Sequence, residues 1–400
     1  MTKTASVVPG IEQDLAHVIA VRHELHRHPE LGYEERRTCE VIERELEEIG
    51  VEYRAGLAGG TGVAAWLPAT NDPDRAKTIG LRADIDALPI HEETGLAYAS
   101  EKPGVMHACG HDGHTANLIG VARALSRLEE RPNNVLFVFQ PAEEGGAGAE
   151  RMCADGVLDG TVIGRPVDRM FGLHGWPELE VGRIATRNGP LLASTDEIDI
   201  TIRGRGCHAA YPHLGVDPVV ITAHVITALQ TVASRTVAPV DSVVVTFGAI
   251  HGGEARNVIP NSVTIRGTVR TLSDETRKRV EQVIRQITTD TARAFGGEAE
   301  IEWNVGYPVT KNDPEMTDRV RTVGARVLGG HGVLERPAPT MGGEDFSYYG
   351  QRVPASFFFV GLKPKGAASY PNLHTPRFDF NDDALAVGIG MMCGLALQRD

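Results

Sequence analysis

The segment Met106-His-Ala-Cys-Gly-His-Asp-Gly-His114 brings together side chains that bind metal ions. Its nine residues include one thiol, Cys109, and three imidazoles, His107, His111 and His114. Thiolate and imidazole are the ligand types that suit zinc and similar divalent ions. Cys109 and His111 are two positions apart, so an extended backbone would project both side chains to the same side. The segment predicts a metal site, although one Cys-x-His pair alone is also compatible with an ordinary polar loop.

The residues that follow this segment predict a helix over 114–130. Apolar side chains recur there at helical spacing, at Leu118, Val121, Ala122, Leu125 and Leu128. The thiol and the histidines are therefore expected in a loop that leads into a helix N-terminus. The helix dipole favours negatively charged ligands at that end.

Four apolar runs predict buried strands, and each is followed by acidic residues or histidine. The runs are residues 78–81, 135–139, 169–173 and 355–362. The residues that follow them are, in the same order, Asp84 and Asp86, Glu143 and Glu144, His174, and, one loop further on, His374. Ligand sites in open α/β sheets lie at the carboxyl ends of the strands. This convergence favours a metal site over a polar loop.

Two pairs of acids have alternative interpretations. Glu143 and Glu144 are adjacent on a loop, so one carboxylate can bind metal while the other takes a proton from water, as a hydrolytic site requires. The same pair is also compatible with a solvated acidic loop before a Gly-rich turn. Asp84 and Asp86 either orient a metal-binding imidazole or, in the case of Asp84, cap a turn.

Residues 191–307 have a different pattern, which predicts a second domain. Strands and helices alternate there in the order β-α-β-β-α-β, the ferredoxin-like arrangement. We interpret this part as an α+β lid inserted into an α/β catalytic domain formed by residues 1–190 and 308–400. The catalytic domain is expected to contain a mixed, mostly parallel sheet flanked by helices.

The predicted lid contains polar residues with no evident role in a core. His208 follows the first strand of the lid and could donate a hydrogen bond to a developing oxyanion, or be an ordinary turn histidine. Asn257 lies in a later loop, and Arg270 on the strand after it. The guanidinium group suits a carboxylate, although arginines are common on exposed strands.

Composition excludes several classes of protein. The 400 residues favour two domains, and the formal charge of −13 argues against a nucleic-acid partner. No apolar run is long enough to span a bilayer, and the N-terminal MTKTASVVPG lacks the features of a signal peptide. Five scattered cysteines do not resemble a disulfide framework. A cytoplasmic protein without a membrane partner is predicted.

The motifs RADIDALPI, MHACGHDGHTA, PAEEGGAGA, GLHGWP, GRGCHAAYPH, ARNVIPNS and NLHTP together resemble the aminoacylase and carboxypeptidase-G-like family of two-metal metallopeptidases. They are most similar to its amidohydrolase branch, which contains hippurate hydrolases, N-acyl-L-amino acid amidohydrolases and auxin-conjugate hydrolases. The resemblance covers nearly the whole chain in the same order. Cys207 departs from it, because a glycine is expected before His208.

The resemblance implies roles for individual residues. It implies two divalent ions (Zn²⁺, Mn²⁺, Co²⁺ or Ni²⁺) held by Cys109, His111, Glu144, His174 and His374. It implies Glu143 as the general base and Asp86 as the acid behind the site. His208 and Asn257 match lid residues that contact the substrate or its oxyanion, from the same or a partner subunit, and Arg270 matches a position associated with the substrate carboxylate.

The sequence therefore predicts a metal-dependent amidohydrolase that cleaves N-acyl amino acids and forms a homodimer or homotetramer through its lid. One alternative is a dipeptidase or carboxypeptidase that uses the same site. Another is a binding protein without catalytic activity, which the intact Glu143 and the full set of ligand residues argue against.

Overall fold

A computed structural model of the protein describes residues 11–399. The N-terminal stretch that predicts no signal peptide lies outside the described residues. The helices are α1 (Ile11–Arg27), α2 (Arg36–Glu48), α3 (His111–Ser126), α4 (Gly148–Ala154), α5 (Pro218–Thr231), α6 (Asp274–Ala294), α7 (Pro314–Leu328), α8 (Ser347–Gly350) and α9 (Leu385–Ala396). Within residues 11–399, none of them is both long and apolar enough to cross a membrane.

The strands alternate with these helices along the chain. They are β1 (Glu52–Leu57), β2 (Gly62–Leu67), β3 (Thr78–Asp84), β4 (Asn134–Gln140), β5 (Arg169–Glu180), β6 (Ile184–Thr186), β7 (Gly189–Leu192), β8 (Ser194–Arg203), β9 (Cys207–His208), β10 (Val243–His251), β11 (Val258–Ile259), β12 (Ser262–Thr271), β13 (Glu298–Val305), β14 (Thr310–Asn312), β15 (Val333–Glu335) and β16 (Ala355–Lys363).

The chain divides into two compact units. The first contains the residues up to Leu191, Lys311–Ala338 and the residues from Asp345 onward. The second contains Leu192–Thr310 and Pro339–Glu344. The function of the second unit as a lid stays a prediction.

The first unit is built on a mixed sheet with the strand order β1-β2-β4-β3-β5-β16-β6-β15. The neighbouring strands β4, β3, β5 and β16 are all parallel, whereas β2 runs antiparallel to β4 and β6 antiparallel to β16. The carboxyl ends of the four central strands therefore meet at one edge. Together with the helices around this sheet, the arrangement confirms the predicted α/β fold of the catalytic unit.

The two faces of the central sheet differ in polarity. Leu81, Phe137 and Phe358 belong to one apolar core, which also includes buried residues of α1, α3 and α9. Side chains alternate between faces along a strand, so Arg82 and His174 project from the opposite face, and both are buried. Polar side chains that reach the carboxyl edge therefore come from this second face.

The second unit has an antiparallel sheet with the order β10-β12-β8-β13. The helices α5 and α6 pack on one face, where Ile198, Ile200 and Ile202 of β8 are buried. Asp217 caps α5 by accepting the backbone N–H of Val219 at 2.9 Å, as its position before Pro218 predicts. The order of elements is the β-α-β-β-α-β order read from the sequence, with two short strands added, β9 before α5 and β11 before β12.

Candidate metal centre

The Cys109–His111 segment differs from its predicted conformation. Gly110 has φ +87 and is the N-cap of α3, so the helix begins at His111 rather than at His114. The predicted extended backbone is therefore wrong, because the chain turns sharply between the two residues. A Cβ at Gly110 would lie 3.1 Å from the ring of Phe380, in a conformation that L-residues rarely adopt.

His111 occupies the first position of α3 and is completely buried. Its Nδ1 lies 3.2 Å from Oδ1 of Asp86. Its Nε2 has no hydrogen-bond partner among residues 11–399, and Oδ2 of Asp84 is 3.6 Å from it. Burial lowers the pKa of this imidazole, but the carboxylates of Asp84 and Asp86 outweigh burial and raise it to about 10. A divalent cation would displace the proton of Nε2, while Nδ1–H stays directed at Asp86.

His114 is engaged on both ring nitrogens. Its Nδ1 lies 2.6 Å from Oδ1 of Asp84, and its Nε2 accepts the backbone N–H of Gly175 at 2.9 Å. No lone pair is left for a metal ion, so His114 holds the strand ends together. Asp84 thus orients a structural histidine, and Asp86 contacts the candidate ligand His111.

Cys109 and His174 face each other inside the site. The Sγ of Cys109 lies 3.3 Å from Nε2 of His174, and Nδ1 of His174 donates to the carbonyl of Gly175 at 2.7 Å. Burial lowers the pKa of His174 well below its usual value and keeps the imidazole neutral. Burial, together with Glu144 and Glu143, raises the pKa of the Cys109 thiol well above its usual value. A thiolate here requires a cation beside it.

Glu143 and Glu144 follow β4 in a tight loop. Glu143 is buried, with 8% of its surface exposed, and Oε1 of Glu144 lies 3.1 Å from Nε2 of His374. His374 has φ +60, a left-handed conformation that costs energy for any residue except glycine and is often kept at functional sites.

The donor atoms of these residues form overlapping groups. Cys109, His111 and His174 form one group, Cys109, Glu144 and His374 a second, and His111 with Glu143 and Glu144 a third. Within each group, the donor atoms lie within 4.8 Å of one another. Thiolate, imidazole and carboxylate donors at these distances suit two adjacent divalent ions. The unpartnered Nε2 of His111 and the neutral His174 fit this interpretation.

A buried network of ion pairs and hydrogen bonds around Arg82 holds Asp84 in place beside the candidate site. Arg82 donates from Nη1 to Asp84 at 2.8 Å, from Nη2 to Asp345 at 3.0 Å and from Nε to Gln140 at 2.8 Å. Neither Asp345 nor the role of Arg82 was predicted from the sequence. An arginine inside an otherwise apolar strand is a signal that could have revealed this network, because a buried charge needs partners.

The loop that carries Glu143 and Glu144 is held by residues near the start of α2. Ala142 has φ +51, and its N–H donates to Oε1 of the buried Glu35 at 2.8 Å. The other oxygen of Glu35 accepts the hydroxyl of Thr61 at 2.7 Å, and the Tyr33 hydroxyl contacts the carbonyl of Gly146. Burial raises the pKa of Glu35 to about 7. These contacts maintain a strained loop beside the candidate base.

We expect Glu35→Ala to lower the free energy of unfolding by about 1–3 kcal/mol, because it leaves the Ala142 N–H and the Thr61 hydroxyl buried without a partner. Amide hydrolysis by the folded fraction should also slow, since Glu143 loses its support. Urea titration and steady-state kinetics measure the two effects. Glu34→Ala, at the exposed neighbouring position, is the control. Equal stability of both variants would contradict the prediction.

The second unit places the predicted lid residues in two different regions. His208 and Val258 pair across the short β9–β11 ladder, and the N–H of Ala209 donates to the carbonyl of Asn257 at 2.9 Å. His208 and Asn257 are therefore neighbours, and both are exposed. Arg270 is half-buried near the end of β12, where it pairs with Thr195 of β8.

Comparisons with known proteins agree with this geometry. A model of peptidase family M20/M25/M40 matches residues 80–398. An N-acetyl-L-cysteine deacetylase of Bacillus subtilis (strain 168) is 41% identical over 369 residues, which cover 92% of this chain and 84% of that protein. The IAA-amino acid hydrolase ILR1-like 4 of Arabidopsis thaliana is 39% identical over 387 residues, covering 95% of this chain and 85% of that protein.

A solved structure is similar in fold as well as in sequence. The crystal structure of a dinuclear metal-binding peptidase of the M20 family from Bacillus subtilis superposes with a TM-score of 0.82 at 35% identity. The alignment covers 96% of this chain and 98% of that one.

Proposed function

Because this chain belongs to peptidase family M20/M25/M40, we propose that it is a metal-dependent amidohydrolase that cleaves N-acyl amino acids to a carboxylic acid and a free amino acid. The observation that carries the proposal is the meeting of five donor residues beside a buried glutamate. The donors are Cys109, His111, Glu144, His174 and His374. Relatives named as a deacetylase of an N-acyl amino acid and as a hydrolase of an amino acid conjugate support the same class of substrate.

The five donors would hold two divalent ions, which as Lewis acids would polarise the amide carbonyl. Glu143 takes a proton from the attacking water and passes it to the leaving amine nitrogen. Asp86 keeps His111 in the tautomer that leaves Nε2 free, since their Nδ1 and Oδ1 atoms are 3.2 Å apart. His208 donates a hydrogen bond to the oxyanion that develops on the carbonyl.

Incubation of the metal-loaded protein with N-acetyl, N-benzoyl and longer N-acyl amino acids tests this function directly. We expect release of the free amino acid, detected by amine-reactive labelling. Primary amides with the same acyl groups contain no amino acid, and we expect that they are not hydrolysed. Dipeptides serve as the second arm, because a free α-amino group on the substrate distinguishes a dipeptidase. If only dipeptides are hydrolysed, the proposed substrate class is wrong and the protein is a dipeptidase.

The lid residues support an assembly in which two subunits complete one site. Arg270 pairs with Thr195 near the start of β8, whereas His208 lies beyond Arg203, at the other end of that strand. Eight residues of strand separate Thr195 from Arg203, or about 26 Å. A small N-acyl amino acid cannot contact Arg270 through its carboxylate and His208 through its carbonyl if both belong to one lid. We therefore assign His208 and Asn257 to a partner subunit.

We expect His208→Ala to retain metal and fold normally while kcat falls roughly 10²–10³-fold, the usual cost of removing one oxyanion donor. If His208 acts from a partner, mixing inactive His208→Ala with inactive Glu143→Gln subunits regenerates a fraction of intact sites. Activity of the mixture after subunit exchange measures this. A mixture that stays inactive although exchange is demonstrated by mass spectrometry would place His208 in its own subunit's site.

We also propose that the protein forms an oligomer and that it is located in the cytoplasm. A homodimer or homotetramer formed through the second unit provides the partner lid. All five cysteines are free thiols, and Cys109 must remain reduced to bind metal, which a reducing cytoplasm ensures. The donor set accepts Zn²⁺, Mn²⁺, Co²⁺ or Ni²⁺.

A further inference from the structure

Two arginines of the first unit lie side by side at the ends of paired strands. The strands β6 and β15 are parallel, and their last residues, Thr186 and Glu335, pair with each other. Arg187 and Arg336 follow directly, and the backbone N–H of Arg336 donates to the carbonyl of Thr186 at 2.8 Å. The register therefore brings two positive charges together.

The guanidinium group of Arg336 lies over two aromatic rings next to the metal centre. Its Cζ is 4.9 Å from the ring centroid of Trp176 and 5.1 Å from that of Phe359. Phe359 pairs with His174 across the β5–β16 ladder. Trp176 is two residues beyond His174 on the same strand and face, at a distance of about 7 Å. The guanidinium group of Arg336 thus lies over a residue of β16, the strand next to that of the candidate ligand His174.

Donor nitrogens of both guanidinium groups lack a hydrogen-bond acceptor among residues 11–399. Nε and Nη1 of Arg187 and Nε of Arg336 are buried, and among residues 11–399 nothing accepts a hydrogen bond from them. No carboxylate of these residues forms an ion pair with either side chain. Burial lowers the pKa of Arg336, and the charge of Arg187 lowers it further, while Glu178 opposes both. Buried donors without acceptors are costly, and more so beside a like charge.

An anionic ligand would satisfy these donors. The planar guanidinium group binds a carboxylate through two parallel hydrogen bonds, and the rings of Trp176 and Phe359 hold the side chain of Arg336 in a defined position by cation–π contact. In the proposed function, the amide of the N-acyl amino acid would lie at the metal centre, and its α-carboxylate is assigned to Arg270. The arginine pair is therefore available for another anionic group.

We propose that Arg187 and Arg336 form a subsite for a second carboxylate of the substrate, so that the enzyme prefers N-acyl amino acids with an additional acidic group. This inference rests on the proposed function. The additional carboxylate belongs either to the amino acid side chain or to the far end of the acyl group. Both sources present the same chemistry to the two arginines, and matched substrates distinguish them.

The test compares substrates that differ only in this charge. N-acetylglutamate against N-acetylglutamine examines the side-chain source, and N-succinylalanine against N-succinamoylalanine examines the acyl source. We expect the wild-type enzyme to show a kcat/KM at least about 10-fold higher for the acid in one pair, as charge-assisted hydrogen bonds provide. Arg187→Gln and Arg336→Gln should bring that ratio close to one and leave the neutral substrate within about 2-fold of wild type.

Arg183→Gln is the matched control, because this neighbouring arginine already has an ion pair with Glu180 at 3.3 Å and should keep the preference. Arg336→Lys keeps the charge but not the paired hydrogen bonds, so an intermediate ratio is expected. Equal kcat/KM values in both wild-type pairs would overturn the subsite while leaving the proposed function intact.

A binding measurement separates failure of the subsite from failure of the proposed function. Calorimetric titration of the metal-free protein with glutarate should give weaker binding in Arg187→Gln and Arg336→Gln than in the wild type and Arg183→Gln. This result supports the subsite even if no N-acyl amino acid is hydrolysed, which would refute only the proposed function. Identical affinities in all four proteins would refute the subsite.

Discussion

Exhaustive chelation of the protein is expected to abolish amide hydrolysis, and Zn²⁺, Mn²⁺, Co²⁺ or Ni²⁺ should restore it. The reason is the electrostatics of the site. The pKa of Cys109 is raised by burial and by Glu144 and Glu143, so without a cation the thiol stays protonated. Removing the metal also leaves the buried Nε2 of His111 without a hydrogen-bond partner among residues 11–399, since Oδ2 of Asp84 is 3.6 Å away. Elemental analysis before and after chelation should show up to two ions lost per chain.

The control for the chelation experiment is a measurement of whether the protein stays folded without metal. Circular dichroism in the far ultraviolet should change little on metal removal, since the sheet of the first unit has its own apolar core. Loss of activity with a retained fold then assigns the effect to the site. An enzyme that remains fully active with no metal detectable would refute the metal centre.

Glu143→Gln should lower kcat by about 10²–10⁴-fold, the usual cost of losing a general base, while the metal content stays at the wild-type value. The amide keeps the shape of the side chain but cannot take a proton from water. Glu143 is buried close to the donor atoms of His111 and Glu144, where a base can reach water at the metals. Rate and metal stoichiometry measured on the same preparation test this prediction.

Glu144→Gln is the matched variant, because it makes the same chemical change one residue further along the chain. In the wild type, Oε1 of Glu144 lies 3.1 Å from Nε2 of His374. The Glu144→Gln variant should therefore lose metal affinity together with activity. Equal loss of metal in both variants would show that the two glutamates do not divide base and ligand roles in this way.

Several features were predictable because they depend on local pattern. The apolar runs before Asp84, Glu143 and His174 mark the central parallel strands. The predicted end of the third strand is wrong, because β5 continues to Glu180, and His174 lies within it, level with the end of β3. The β-α-β-β-α-β order of the second unit follows from alternation in strands and from caps such as Asp217. Helix starts were less predictable, because Gly110 places His111 inside α3 through a left-handed turn that spacing alone does not reveal.

Partnerships between distant residues were not predictable in the same way. Asp84 and Asp86 have the same chemistry, yet Nδ1 of His114 lies 2.6 Å from Asp84, whereas Nδ1 of His111 lies 3.2 Å from Asp86. The choice depends on how β3 and α3 pack. Likewise, nothing near Glu35 in the sequence indicates that it holds the Ala142 N–H, over a hundred residues away.

The sequence by itself determined the class of chemistry, the candidate ligands and the order of the elements, because residue type and hydrophobic period are properties of short segments. Only the tertiary structure decided which nitrogen of His111 lacks a hydrogen-bond partner among residues 11–399, and that Arg270 pairs near the start of β8 whereas His208 pairs with Val258 in a separate ladder. It also showed that Arg187 and Arg336 form no ion pair with an acidic residue among residues 11–399. The physical reason is that a buried polar group can form hydrogen bonds only with its neighbours in the fold. Strand register and packing bring those neighbours from distant parts of the chain.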